Sequence, residues 1–369
     1  MSTYIFITGK HPELSIAELK ARYPKHKVWV KGDDFMVMDI SEKINQSEFN
    51  HLGGSVKAAE FIKEVKKEAL IEVLADILNS HYQDMKLDYG LSLYGTSEKQ
   101  LRPVLLKLKK KLKADGIKSR FINNQFKNIS SAQYKSISKK GIELIAVSNK
   151  GRFTVGHTVA VQDIDAYSKR DYEKPFRSMQ MGMMPPKLAQ ILINLVGVKG
   201  KIWDPFCGSG TLIMEGLLMG RQMIGSDINQ KHIEGAKKNT AWLKKEFGTS
   251  SSEELLVHDA TTPFKESFDA IAFEGDLGVP HNQSIKSDQL KVIAEGLDEL
   301  YIEFFKNLKK IKKKVPVVAA LPFFKLRNGR DEELKCIRQI EKMGFKKTLH
   351  LKYSREGQAV GRSVYRFMY

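Results

Sequence analysis

The chain has 369 residues, 42% apolar and 28% charged, which is enough for two or three globular units with substantial cores. No apolar run reaches the roughly 18 residues of a membrane helix, and two cysteines, Cys207 and Cys336, exclude a disulfide framework. Lys plus Arg (61) against Asp plus Glu (43) leaves a net charge of +18, a field suited to a polyanion, nucleic acid before an acidic membrane. Neither cysteine lies in a Cys/His cluster with ligand spacing, so no metal site is expected. The apolar start is too short for a signal peptide, and the expected location is the cytoplasm.

No repeat of 20 to 50 residues or low-complexity tract interrupts the chain. The first stretch, residues 1–58, mixes a strand ("TYIFIT"), a helix ("HPELSIAELKARYP") and two short β-rich runs ("KVWV", "DFMVMDI"). A second mixed unit, residues 59–165, holds a helix from about Lys67 to Ser80, the β-rich "YGLSLYG" and a basic helix near 98–114. Strands "SRFIN" and "IELIAVSN" follow, and "RFTVGHTVAVQDID" closes the unit. Residues 166–182 read as a polar connector, "SKRDYEKPFR", whose Lys169, Arg170, Lys174 and Arg177 either contact phosphate or are merely solvated.

From residue 183 to 369 helices and apolar strands alternate, the pattern of a parallel α/β sheet. A helix opened by proline ("PPKLAQILINLV") leads into strand "KIWDPF", helix "TLIMEGLLMG", strand "QMIGSD" and helix "QKHIEGAKKNTAWLKKEF". Strands "ELLVHDA" and "FDAIAF", a long helix, strand "VPVVAALPFF" and a terminal hairpin ("FKKTLHLKY", "RSVYRFMY") complete it, giving an antiparallel edge.

The chemistry lies at the strand ends. In "DPFCGSGT", Gly208 and Gly210 permit a sharp turn and a close ligand approach ahead of a helix N-terminus. The stretch is neither GxGxxG nor a P-loop, since it has no Lys. Asp227, 23 positions after Asp204, ends the next strand and can bind both hydroxyls of a ribose. Asp259 ends the strand after that and can accept from an adenine amino group. Three acids at successive strand ends form a crevice for an adenosine ligand, and with no phosphate-binding machinery the ligand they suit is S-adenosylmethionine.

"DPFCGSGTLIMEG" and "IGSDIN" resemble the first two motifs of the class I methyltransferases that modify exocyclic amines of nucleic acids. "YIFITGKHPELSIAELKARYP", "VGHTVAVQDIDAYSKRDYEKPFRS", "GMMPPKLAQILINL" and "YSREGQAVGRSVYRF" extend the resemblance to the THUMP-containing tRNA guanosine-N2 methyltransferases of the position-ten type. The resemblance implies a ferredoxin-like piece over residues 1–58, a THUMP RNA-binding domain over 59–165 and a Rossmann-like methyltransferase domain over 183–369. It also implies that Asp204 holds the methionine amino group, that the backbone from Cys207 to Gly210 wraps the cofactor, and that Asp227 and Asp259 take ribose and adenine. Phe206, Thr211, Ile228 and Ala260, in the same motifs, are counted with them, and Cys207 is read as a packing residue. The implied partners are tRNA and, in some lineages, a small activator protein.

The family's catalytic loop carries Asn/Asp-Pro-Pro-Tyr/Phe, and here "FDAIAF" runs into Glu274-Gly275-Asp276-Leu277. Aligned on the strand end, Phe273 falls on the acceptor position and Asp276 on the aromatic one, with Pro280 beyond. Glu274 or Asp276 accepts from the target amine, or both are ordinary loop carboxylates. Gly275 and Gly278 are expected to free the loop to bring Glu274 forward, and Phe273 either offers a stacking surface or, as a strand-end Phe more often does, packs in the core. Two rivals stand beside the enzyme: a non-catalytic RNA-binding protein on the same fold, and a DNA amino-methyltransferase.

Overall fold

The computed structural model describes residues 1–82, 86–177, 184–278, 287–311, 314–326, 329–355 and 357–369, with backbone only at Ser287 and Asp288. Contacts divide the chain into two units, Met1–Ile16 with Tyr23–Asp165, and Ala17–Arg22 with Ala166–Tyr369.

The first unit is built on one mixed sheet. Its elements in order are β1 (Ser2–Thr8), the first turn of α1 (Pro12–Arg22, whose Ala17–Arg22 belong to the second unit), β2 (Lys27–Lys31), β3 (Phe35–Ile40), α2 (Gln46–Phe49) and β4 (Ser55–Lys66). They continue with α3 (Leu70–Ser80), β5 (Leu87–Tyr94), α4 (Leu101–Ala114), β6 (Ser119–Phe121), α5 (Ser131–Ile137), β7 (Gly141–Asn149) and β8 (Arg152–Val161). The strand order is β2-β3-β1-β4-β8-β7-β5-β6. The sheet does not divide at 58/59: β4 pairs β1 through Tyr4–Thr8 and β8 through Lys57–Lys66, so that boundary cuts a strand. Leu101, Leu105, Leu108 and Leu112 bury one stripe of α4 and leave Lys107, Lys110 and Lys113 exposed, the arrangement that a 3.6-residue period dictates. Under the sheet, Glu143 accepts from Lys57, Ser92 and Thr158, so this buried carboxylate is fully partnered.

The second unit holds almost all of α6 (Ile164–Tyr172), then α7 (Pro186–Leu195), β9 (Ile202–Asp204), α8 (Thr211–Leu218), β10 (Met223–Asp227), α9 (Gln230–Phe247) and β11 (Glu253–Val257). It ends with β12 (Ala270–Glu274), α10 (Ser287–Lys310), β13 (Pro316–Lys325), β14 (Asp331–Glu333), α11 (Cys336–Lys342), β15 (Lys346–Tyr353) and β16 (Val360–Met368). The sheet runs β11-β10-β9-β12-β13-β16-β15, and β14 adds to β13. β11 to β13 are parallel, while β16 is antiparallel to β13 and to β15, giving the antiparallel edge. The chain order reverses between β9 and β12. At such a switch point the connections leave in opposite directions and a crevice opens at the carboxyl ends of the strands. Two features depart from the sequence expectation: α6 occupies the supposed connector, and residues 178–182 of that connector lie outside the described residues.

Candidate functional site

The Gly-rich loop joins β9 to α8. Gly208 and Gly210 have φ of +50° and +81°, the left-handed region that glycine enters without strain. At Gly210 a Cβ would also stand 3.0 Å from Ala236 Cβ, so α9 packs against the loop's backbone. Cys207 N donates to Ser226 O (2.9 Å), and Asn239, buried in α9, donates to Ser209 O (2.8 Å). Cys207 is itself buried, and burial pushes its thiol well up, which suits packing and not nucleophilic attack.

The strand-end acids converge on one cavity of about 780 Å³. Asp204 is 2% exposed; its Oδ1 accepts from Phe206 N at 3.1 Å. Burial holds its carboxyl well above the usual range, and Asp227 and Glu274 add to that rise. Asp227 Oδ2 accepts from Gly208 N (3.0 Å) and Oδ1 from Asn229 N (2.9 Å), while His232 Nδ1 lies 3.1 Å from Oδ1. Asp259 Oδ1 accepts from the backbone N (2.9 Å) and hydroxyl (2.7 Å) of Thr261. Phe206, Cys207, Gly208, Thr211, Ile228 and Ala260 line the same cavity, and Ile228 is 70% exposed there, an apolar surface with no partner of its own. Gly210 stands behind the lining, as the N-cap of α8. No Lys or Arg lines the cavity among the described residues.

The loop after β12 corrects one expectation and settles where its residues face. Phe273 is fully buried, its ring 5.2 Å from that of Phe206 and 5.3 Å from that of Phe304, so it is neither acceptor nor stacking surface. Phe273 packs into the core, while Glu274, Gly275, Asp276 and Leu277 after it line the cavity. The loop is also not loosened by its glycines. Gly275 N donates to Ala320 O (3.0 Å), and a Cβ at Gly275 would lie 2.1 Å from the Tyr301 hydroxyl oxygen. Glycine is there to admit Tyr301, whose hydroxyl donates to Asp276 O at 2.9 Å. Gly278 N in turn donates to Asp276 Oδ1 (2.9 Å), although the Asp276 side chain is otherwise exposed at the cavity rim. Pro280 lies outside the described residues.

Glu274 is paired. Arg362 Nε, on β16, donates to Glu274 Oε1 at 2.8 Å, with both side chains nearly buried. Burial raises the Glu274 carboxyl, and the Arg362 guanidinium opposes the rise.

The basic residues expected on RNA divide differently. Arg170 and Lys174 are 5% and 3% exposed and point inward. Arg170 clamps Glu215 of α8 through Nε (2.6 Å) and an Nη (3.1 Å), and Gln190 donates to the same carboxylate at 2.8 Å. Lys174 Nζ donates to Thr211 Oγ1 (2.9 Å) at the start of α8, and burial lowers its pKa. Neither can reach a phosphate without breaking these contacts. Lys169 is bridged to Glu246, and Arg177 alone of the four is exposed with no such bridge among the described residues. Residues that the sequence reading missed include His232, His258 and Met184 on the cavity wall, and Val292, Ile293 and Leu297 of α10.

A model of the RMKL-like methyltransferase domain (UPF0020) matches residues 174–321. The tRNA (guanine(10)-N2)-dimethyltransferase of Methanothermobacter thermautotrophicus is 30% identical over 153 residues, 41% of this chain and 44% of that protein. The match therefore spans less than half of that relative's length. The probable tRNA (guanine(10)-N2)-dimethyltransferase of Methanothermococcus thermolithotrophicus is 32% identical over 130 residues, 35% of this chain and 74% of that protein. Among solved structures, TrmN from Thermus thermophilus superposes with a TM-score of 0.57 at 17% identity, covering 99% of each chain, a likeness of fold.

Proposed function

This chain belongs to the family of tRNA (guanine(10)-N2)-dimethyltransferases, and we propose that it transfers methyl groups from S-adenosylmethionine to the exocyclic N2 of a guanosine in tRNA. The observation that carries the reading is the shared cavity, in which the Gly-rich loop, Asp204, Asp227, Asp259 and Glu274 meet at the carboxyl ends of four neighbouring parallel strands. The residues fit the cofactor. An acid-lined cavity with no Lys or Arg among the described residues suits a ligand bearing sulfonium and ammonium charges, and would repel the phosphates of a dinucleotide. Asp204 would hold the ammonium, Asp227 the ribose hydroxyls and Asp259 the adenine amine, with Ile228 against the ring. The cofactor supplies an activated methyl group. The protein's own part is to align the amine with it, which is worth most as proximity and orientation.

We assign tRNA binding chiefly to the first unit, whose THUMP-like part follows the strands shared with its N-terminal stretch. The exposed Lys107, Lys110 and Lys113 of α4 support this, since surface lysines unpaired among the described residues can neutralise phosphates. The target base must leave its stack to enter the cavity. Two buried free cysteines suit a reducing, cytoplasmic setting.

The proline-free loop favours one second reading, an RNA-binding protein that has kept the fold and lost the reaction. Purified full-length protein incubated with labelled S-adenosylmethionine and tRNA separates the two, with and without candidate activator proteins and with DNA as competitor. N2-methylguanosine in the digested tRNA supports the enzyme; bound but unmodified tRNA supports the binder.

A further inference from the structure

We propose that Arg362 is a positioning residue for methyl transfer: its buried guanidinium holds the Glu274 carboxylate by one oxygen and leaves the other free for the target amine. The proposal rests on the reading of the cavity as a methyl-transfer site.

The contact is single, Arg362 Nε to Glu274 Oε1 at 2.8 Å, where a fork-on-fork geometry would have occupied both oxygens. Glu274 Oε2 takes no hydrogen bond among the described residues, and Glu274 lines the cavity. Ionised, Oε2 can take both the hydrogen bond and the proton that N2 gives up, whereas a protonated carboxyl can only accept a hydrogen bond through its carbonyl oxygen.

The surroundings work against ionisation. Burial raises Glu274, and the Tyr301 phenol of α10 and the Asp204 carboxyl of β9, both pushed well up by burial, lie nearby with Asp276 of the loop. Arg362 of β16 is the cation that opposes the rise. Tyr301 completes the arrangement: by donating to Asp276 O and filling the space beside Gly275, it fixes the backbone that follows Glu274. Three contacts from β13, α10 and β16 thus hold a loop that has no proline among its described residues.

The step balances. The N2 lone pair forms the N–C bond as the S–C bond breaks with its electrons on sulfur. An N2 proton passes to Glu274 Oε2 and then to water, while Arg362 keeps its charge throughout.

The test uses full-length protein and two readouts. Infrared difference spectra against Glu274→Gln isolate the Glu274 carboxyl band, and a pH profile of kcat follows turnover. In Arg362→Met the protonated-acid band should persist to higher pH than in the parent, and the acid limb of kcat should move the same way. Turnover below that limb should fall about tenfold for each pH unit moved, with KM for tRNA and cofactor little changed. Arg362→Lys, which keeps the charge, should restore most of the loss. A folded Arg362→Met with the parent's band and pH profile overturns the proposal. If Arg362→Met fails to fold, the uncharged double variant Glu274→Gln/Arg362→Met carries the test. It should turn over like Glu274→Gln alone with no acid limb, and turnover far below Glu274→Gln overturns the proposal. A parent that makes no methylguanosine would sink the methyl-transfer reading, while the infrared titration would still decide whether Arg362 governs Glu274.

Discussion

Replacing Asp204 by Asn should stabilise the empty protein and cripple cofactor binding, because one buried charge serves both ends. Asp204 is 2% exposed, and a single backbone N–H, from Phe206 at 3.1 Å, offsets the burial and the nearby Asp227 and Glu274 that push its carboxyl well up. Between the ordinary carboxyl range and that raised value the unfolded chain is ionised while the native one still holds its proton. Stability is therefore lost as pH rises through the window and stays lost above it. Each pH unit of displacement costs about 1.4 kcal/mol. Asn keeps an acceptor for Phe206 N and removes the titration. The unliganded variant should melt above the parent at pH 8, by a margin that shrinks as pH falls into the ordinary carboxyl range. An amide cannot neutralise an ammonium, so calorimetry should show S-adenosylmethionine affinity falling by about 1.5–3 kcal/mol, roughly 10- to 150-fold. Parent affinity should rise with pH through the same window, since the bound cation draws the proton off. A variant with no pH-dependent gain in Tm, or with unchanged affinity, refutes the reasoning.

Asp227→Ala removes the acceptor for two hydroxyls and also the anchor for Gly208 N and Asn229 N, so calorimetry should record a loss of roughly 1–3 kcal/mol; equal affinities would remove Asp227 from the site. Glu274→Gln should cut turnover about tenfold or more with cofactor and tRNA affinity nearly unchanged, the pattern of an interaction felt mainly in the transition state. Unchanged turnover would pass the role to Asp276 or a backbone carbonyl. Glu274→Ala should in addition lose about 3–5 kcal/mol in denaturant unfolding, because it strands the buried Arg362. Gly275→Ala should cost about 1–3 kcal/mol by overpacking against Tyr301, and Gly275→Pro more, since it also loses the N–H to Ala320; a proline variant that melted like the parent would contradict the loop's geometry. Residues 166–369 alone should bind tRNA much more weakly than the full chain, whose affinity should fall steeply with salt; equal affinities would contradict the role given to the first unit.

What the sequence made legible was the crevice. Asp204, Asp227, Asp259 and Glu274 each end, or follow directly on, an apolar strand in an alternating α/β pattern, and strand ends on a parallel sheet share one edge. The helix α5 was also readable, because Ser130 and Gln133 form a capping box, but it was overlooked. Arg170 and Lys174 read as a solvated connector because their partners, Glu215 and Thr211, lie 45 and 37 positions away. A clue was present, for Glu215 is the lone charge in the apolar helix "TLIMEGLL", and a buried acid calls for a cation. Alignment on a strand end alone cannot tell which of two neighbours, Phe273 or Glu274, faces the cavity; the structure puts Glu274 there. Tyr301 and Arg362 reach this loop from 25 and 88 positions away, contacts that only the packed sheet and helix create.

The central claim is that this cavity transfers methyl groups to guanosine N2 in tRNA. The direct measurement is mass spectrometry of nucleosides from tRNA incubated with the full-length protein and isotopically labelled S-adenosylmethionine. Label is expected in N2-methylated guanosine, lowered in Asp204→Asn at subsaturating cofactor and strongly reduced in Glu274→Gln. Label confined to another nucleoside, or none in any tRNA pool with or without activator proteins, would contradict the claim.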